Sequence, residues 1–433
     1  MASCVLLIIS CTSQLNRKET FQRNTLETTK DDPLVNHTDI DNFWTAYDKI
    51  SSEEDTSLHA TILSNAFINK ASIGQLKLME ARNYTLEEYL SNIYAYPKFY
   101  NSLRKNLSDI DSISSLITKS LNKFQQIYPL KNSAKIYLGI GNFRTNGTTV
   151  DSTVLFGAEL ALSSKEINLT EFSDDYDFFR EYIKEDPIQN IEFLSCHEFV
   201  HTQQIEAIGS NLMSVAIREG SAEFIAEIVS GKTSTTPALA FGKENSKVVI
   251  QQFKKEMFNH NVSYWLWTSR ENKFGVRDLG YYVGYDICKF YYHMSQDSSQ
   301  AINDIIELDY SNIDSVAIFL NKTNYFSEEV SKLSKAYILA QPIVKSVKKE
   351  GDIYTVYFSQ AMDEDYRGFD YGPMGDNHVL RISEYLGFSD DSKSLSFKSE
   401  NLTNVKQQIL FTSVFRNQDG IEMKPYLYET NGQ

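Results

Sequence analysis

The hydrophobic period changes three times along the chain, and each change predicts a different kind of structure. From Phe43 to about Tyr128, apolar residues recur at helical spacing, as in Leu86, Tyr89, Leu90 and Ile93, and again in Ile113, Leu116, Ile117 and Leu121. Positions three and four apart share one face of a helix, so several helices are expected here, broken by clusters such as Ser51-Ser52-Glu53-Glu54-Asp55. At Ala134 the texture turns to short β-rich runs, 135–140 and 153–158, on either side of the turn-rich connector 142–148. They are expected to be two paired strands. Helical spacing returns after Pro187 and runs to about Ala340. Beyond Gln341-Pro342, short runs at 353–358, 380–382, 395–397 and 408–411 alternate with polar turns, the pattern of a β-sandwich. The expected fold class is α+β, with a mainly helical domain carrying a small sheet over 41–340 and a β-sandwich over 341–433.

The first 40 residues lack a core pattern. Val5-Leu6-Leu7-Ile8-Ile9 is apolar but far short of the roughly 20 residues that span a bilayer. It reads as the apolar part of a signal peptide. The order Ile8-Ile9-Ser10-Cys11 resembles a bacterial lipobox, whose Cys is acylated and becomes the new N-terminus. That resemblance implies a signal peptide over 1–11, a lipid on Cys11 and a location at the membrane of the cell envelope, on its periplasmic or cell-surface face. The polar stretch 12–40 is then a tether. A formal net charge of -15 excludes non-specific binding to nucleic acid, because a phosphate surface repels it. With so few cysteines an exported chain has no disulfide framework. Cys196 and Cys288 are expected to act as small buried apolar side chains.

The candidate chemistry sits in His197-Glu198-Phe199-Val200-His201. On a helix, positions four apart lie one above the other, so both imidazoles can reach one ion while Glu198 projects beside it. Asp186-Pro187 and Asn190 offer a plausible start for that helix. A catalytic zinc site needs a third protein ligand and one open position for water. Arg218-Glu219-Gly220-Ser221-Ala222-Glu223-Phe224 supplies a candidate, in a helix expected to begin near Asn211. There Glu219 lies on a strip with Val215, Ala216 and Ala222, where a carboxylate is costly to bury unless it is paired or bound to metal. Glu223 continues the stripe and is expected to orient a His ligand, since a fourth protein ligand would close the site.

This arrangement resembles the gluzincin metallopeptidases, and more closely the bacterial zinc-dependent protease lipoproteins. The resemblance implies one zinc ion per chain held by His197, His201 and Glu219, with Glu198 as the catalytic base and a peptide or protein as substrate. It also implies that 153–159 is an edge strand holding extended substrate by β-augmentation. A Tyr about 60 residues past Glu219 would act as oxyanion donor. Tyr281 is favoured, with Tyr285 on the same helix face as the alternative. His260 and His293 have no ligand spacing to the motif and read as structural. In the last 90 or so residues, Phe358-Ser359-Gln360-Ala361-Met362-Asp363 and Asp419-Gly420 resemble motifs of bacterial immunoglobulin-like modules. A non-catalytic envelope or assembly lipoprotein that keeps a metalloprotease scaffold is the rival reading. Glu198 weighs against it, because a structural zinc needs no general base beside its ligands.

Overall fold

The computed structural model describes residues 33–173, 176–267, 272–399 and 405–430. The expected signal peptide, Cys11 and most of the tether lie outside the described residues. The tether was expected to reach residue 40, but Leu34, Val35 and Ile40 are buried, and β1 (Val35–Asn36) pairs with the central sheet. The folded body therefore includes residues from Leu34 onward. Among the described residues no helix is long and apolar enough to cross a membrane.

Helices between Thr38 and Ile127 pack through aromatic rings, Phe43 meeting Phe67 and Tyr100 at centroid distances of 5.5 and 5.3 Å. They cover a four-stranded sheet of order β1, β2 (Lys135–Gly139), β4 (Thr153–Gly157), β3 (Gly147–Val150). The expected strand pair is present as β2 and β4, which run parallel with Ile136 opposite Val154. The expected edge strand is not at the edge. Residues 153–157 lie inside the sheet, and the edge strand beside them is β3, drawn from what reads in sequence as a turn-rich connector. A two-residue turn at Asp151-Ser152, with Asp151 at φ 52°, folds β3 back on β4, and the β-branched Thr148-Thr149-Val150 suits a pleated strand. Glu159, the end of the expected edge segment, is fully buried and accepts the N–H groups of Gly141 and Asn142 at 2.8 and 3.0 Å. Burial pushes its carboxyl up to about 7, against those hydrogen bonds. It secures the loop that leads into β3.

Below the sheet lie three helices: the His helix (Ile191–Gln203), the Glu helix (Leu212–Ser230) and the Tyr helix (Leu279–Met294). The Glu helix starts where Asn211 accepts the N–H of Ser214, is buried along nearly its whole length, and ends at Gly231 in the left-handed region, φ 72°. A helix buried on every side needs small residues wherever a neighbour crosses closely. A Cβ on Gly220 would stand 2.0 Å from the Tyr285 nitrogen, and one on Gly284 would stand 1.8 Å from the Ala216 oxygen. The Glu and Tyr helices thus cross backbone to backbone.

The C-terminal region has its own core, in which Tyr354, Val356, Phe397, Phe411 and Phe415 are buried. Two sheets enclose it. One has the order β5 (Val344–Glu350), β6 (Ile353–Phe358), β9 (Ser394–Ser399), β8 (Ile382–Phe388); the other is β11 (Tyr426–Glu429), β10 (Gln408–Phe411), β7 (Phe369–Asp370). β5, β7 and β11 are not evident in the sequence pattern, and the run expected at 380–382 starts at Ile382 and extends to Phe388. β5 is exposed at most of its positions and carries Lys345, Lys348 and Lys349, which blunt a sheet edge and hide the alternation.

The helix crossing makes a test. Gly284→Ala should destabilise the chain by about 1–3 kcal/mol or more, because neither backbone can yield without moving a whole helix. Thermal melts read the effect, and an unchanged melting temperature would show that the helices separate freely.

Candidate metal centre

The His helix follows a short turn at Pro187–Asn190 and buries Phe193, Cys196, Phe199 and Val200 on the faces away from its histidines. Burial pushes the Cys196 thiol up to about 12, so it stays a neutral packing group. His197 and His201 stand one turn apart, ring centroids 5.0 Å apart, with their Nε2 atoms 3.3 Å from each other. The Glu219 Oε2 reaches in from the Glu helix, 3.4 Å from His201 Nε2 and 3.8 Å from His197 Nε2. One donor atom from each of the three residues lies within 4.8 Å of the other two. Zinc bonds of about 2.0–2.1 Å in tetrahedral geometry set ligand atoms about 3.3–3.4 Å apart, so the spacing fits zinc. Two imidazole nitrogens and one carboxylate oxygen form a donor set that zinc takes, and three protein ligands leave a position open.

The surroundings aim these atoms. The His201 Nδ1 donates to Gln204 Oε1 at 2.8 Å; the Gln204 amide donates to Ser221 Oγ at 2.7 Å, and Ser221 donates to the Arg218 carbonyl at 2.6 Å. That relay fixes the amide, keeps the proton on Nδ1 and turns the Nε2 lone pair toward the other ligands. The His197 Nδ1 faces Glu223 Oε1 at 3.1 Å, a charge contact off the line of a hydrogen bond. Arg218 takes Glu219 Oε1 at 3.1 Å and leaves Oε2 to the imidazoles.

The charges point the same way. Glu219 is only 5% exposed. Burial alone would raise its carboxyl, but His201, Arg218 and His197 together hold it well below the usual carboxylate range. For His197, burial disfavours the charged ring, yet contact with Glu223 and the charges of Glu198 and Glu219 outweigh it and push the imidazole up to about 9. Among the described residues, the one guanidinium paired with these three buried carboxylates is Arg218, on Glu219, and without a metal a proton on imidazole makes up part of the missing positive charge. A divalent cation satisfies the same deficit.

Glu198 lies between this cluster and β3. Its carboxylate and its carbonyl both accept from the Thr149 hydroxyl, at 3.1 and 3.0 Å, and a Cβ on Gly147 would stand 3.0 Å from its Oε1. Thr149 holds Glu198 by its hydroxyl, and Gly147, two apart on the same face of β3, leaves it room. The Tyr281 ring sits 6.1 Å from the His197 ring, and its oxygen accepts the Trp267 indole N–H at 3.0 Å. Burial and the Glu219 charge push its hydroxyl well above the ordinary phenol range, so it keeps its proton. The shared helix face does not make Tyr285 equivalent. Its hydroxyl donates to the Glu227 carboxylate at 2.8 and 2.9 Å and accepts from Lys289 at 2.6 Å, away from the cluster. His293 is exposed, and His260 lies beside Glu422 at 3.4 Å, outside the cluster. Thr149, Gly147, Gln204 and Ser221 escaped the sequence reading, because hydroxyl, amide and glycine positions carry no spacing signal of their own. An open cleft of about 1850 Å³ runs over the site, walled by β3, Trp267 and Tyr281. It exceeds the roughly 300–1,000 Å³ of small-molecule pockets and has room for a length of chain.

Comparison with known proteins agrees at this level. Residues 169–315, roughly a third of the chain, match the family described as "Predicted Zn-dependent protease (DUF2268)". That segment contains all three helices of the site, and with the His197, His201 and Glu219 cluster it is consistent with a zinc hydrolase. No curated protein matches the chain. Among solved structures, surface layer protein SbsC, domains 1–6, is 12% identical with a TM-score of 0.18, over 60% of this chain and 37% of that one. The N-terminal part of the bacterial S-layer protein SbsC is 11% identical with a TM-score of 0.18, over 90% of this chain and 74% of that one. The chain thus spans well under half the length of the first, and at those scores the backbones do not superpose.

His197→Ala and Glu219→Ala should each lower the zinc bound per chain in elemental analysis. Glu223→Ala and Gln204→Ala should keep the stoichiometry but weaken affinity by roughly 10–100-fold in a chelator competition, the usual cost of losing a group that orients a ligand. Full zinc occupancy in Glu219→Ala would remove Glu219 from the ligand set.

Proposed function

We propose that this chain is a gluzincin-type zinc peptidase. One zinc per chain would be held by His197, His201 and Glu219, with Glu198 as general base and Tyr281 as oxyanion donor. The observation that carries the reading is the position of Glu198: a carboxylate beside the ligand cluster, tied to the outer strand of the sheet, at the floor of an open cleft. When bound, zinc supplies a Lewis acid that makes water acidic near neutral pH and polarises a carbonyl.

The protein groups do the rest. Glu198 takes the proton of the attacking water and delivers it to the nitrogen of the leaving amine. Thr149 keeps the carboxylate turned toward the cleft. Tyr281 donates its hydroxyl proton as a hydrogen bond to the carbonyl oxygen as negative charge develops there. β3, last in its sheet, offers its outer edge to an extended peptide, which would run past Glu198. This reading takes 41–340 as a zincin-like catalytic domain and 341–433 as an immunoglobulin-like sandwich. The Ile8-Ile9-Ser10-Cys11 motif supports export and a lipid on Cys11, which would hold the peptidase at the envelope membrane. A purely structural zinc site in an assembly lipoprotein would have no use for a free carboxylate such as Glu198 beside its ligands.

Glu198→Gln should retain zinc while hydrolysis of a mixed peptide library falls by about 100-fold or more, the scale of a lost general base. A variant that still cleaves at the wild-type rate refutes the assignment. Gly147→Val should give a comparable loss at full zinc occupancy, since its side chain would push Glu198 aside. Labelling with radioactive palmitate should be lost in Cys11→Ser, and undiminished labelling would refute the lipid anchor.

A further inference from the structure

We infer that the C-terminal module is part of the catalytic apparatus: its turn at 416–422 fixes the segment 259–267, and through Trp267 that segment positions Tyr281. The consequence for rate rests on the peptidase reading; the mechanical coupling does not.

The starting observation is Trp267. It is 46% exposed, yet it is held at φ 62°, a left-handed conformation that costs a bulky residue free energy. Burial does not compensate it. Hydrogen bonds do: its backbone N–H donates to Asp278 Oδ1 at 2.7 Å, and its indole N–H donates to the Tyr281 hydroxyl at 3.0 Å. With one lone pair taken, the Tyr281 hydroxyl is fixed in direction and its own proton is free to point elsewhere. Trp267 is thus a positioning residue for Tyr281.

The segment before it is gripped from the C-terminal module. Glu422, 2% exposed, accepts the N–H groups of His260 and Asn261 at 2.9 and 2.5 Å. The Asn259 side chain donates to the Gly420 carbonyl at 2.9 Å and accepts the Glu422 N–H at 3.3 Å. The Arg416 guanidinium lies over the Tyr264 ring at 3.8 Å and over its own module's Tyr366 at 3.2 Å. Gly420 sits so close that a Cβ there would stand 2.5 Å from the Glu256 carboxyl, which in turn accepts the Trp265 indole N–H at 3.0 Å. From Trp265 the grip passes to the Tyr helix. The Trp265 carbonyl accepts the Gly280 N–H at 3.0 Å, and a Cβ on Gly280 would stand 2.8 Å from the Leu266 side chain. Every link from Glu422 to Gly280 is therefore a hydrogen bond or a close packing contact, and the last one, from Trp267 to Tyr281, is an exposed hydrogen bond held by the left-handed Trp267 backbone.

The test uses the full-length protein and three readings: hydrogen exchange by mass spectrometry, zinc content, and kcat with KM on one cleaved peptide. In Glu422→Ala and Gly420→Val, protection should fall in 262–267 and 279–285 as well as in 259–261. Zinc should remain at the wild-type level, and kcat should drop about 10-fold or more with KM nearly unchanged. Glu422→Gln, which keeps an acceptor, should recover part of the loss. Trp267→Phe should lower kcat alike without altering exchange in 259–261, and its exposed position keeps it informative if Gly420→Val fails to fold. Exchange that changes only in 259–261, or an unchanged kcat with widespread loss of protection, overturns the inference. If the wild type cleaves nothing, the peptidase reading fails, and exchange at 279–285 alone decides the coupling.

Discussion

Three carboxylates, Glu198, Glu219 and Glu223, are buried within reach of two imidazoles, and among the described residues the one guanidinium paired with any of them is Arg218, on Glu219. Isolated buried charge of this kind is expensive, and much of the central architecture serves to hold it in one arrangement. The Glu helix is buried along most of its length, and Glu219 and Glu223, four apart on one face, turn toward the His helix, whereas Glu227 pairs with Tyr285 and Lys289. Gly220 and Gly284 allow the Tyr helix to cross at backbone contact, which brings Tyr281 to the face of His197. A dication at His197, His201 and Glu219 would supply the positive charge that this pocket lacks.

Around that centre, uncharged groups share the work of orientation with Arg218 and Glu223. Gln204 and Ser221 set the tautomer of His201, and Thr149 together with the bare backbone of Gly147 sets Glu198. Because Gly147 and Thr149 belong to β3, the strand that would receive a peptide is also the strand that steadies the base. In the proposed peptidase, binding and proton transfer would share one strand, which is how a site gains precision without relying on loops. The Trp267–Tyr281 pair brings the opposite wall under similar control, and its anchor lies in the C-terminal module.

What could be read from the chain alone follows from short-range periodicity. His197 and His201 are four apart on a helix, and Glu219 and Glu223 are four apart on another; both pairs face one way by helix geometry before any packing is known. The parallel partners β2 and β4 were visible as β-rich runs, and β6, β9 and β10 as alternating ones. The outer strand β3 is hidden in the sequence because Asn146-Gly147 signals a turn while Thr148-Thr149-Val150 is too short to signal a strand. Strand order is a matter of which backbones meet, and periodicity within one strand does not encode it. Tyr281 and Tyr285 were likewise indistinguishable by spacing, and were separated only by the Glu227 and Lys289 side chains that engage Tyr285.

The sequence by itself determined the identity and local facing of the metal-ligand candidates, the carboxylate of Glu198 beside them, and the change from helical to β texture near residue 341. These depend on contacts within a few residues, and the chain's own geometry enforces them. Tertiary structure alone decided that the Glu helix approaches the His helix closely enough to bring three donor atoms within 4.8 Å of one another, that β3 rather than β4 flanks the site, and that Glu422 reaches back across more than 160 residues to His260. Such contacts arise from the packing of whole elements, where a single missing Cβ or one buried carboxylate sets the distance, and no local pattern records them.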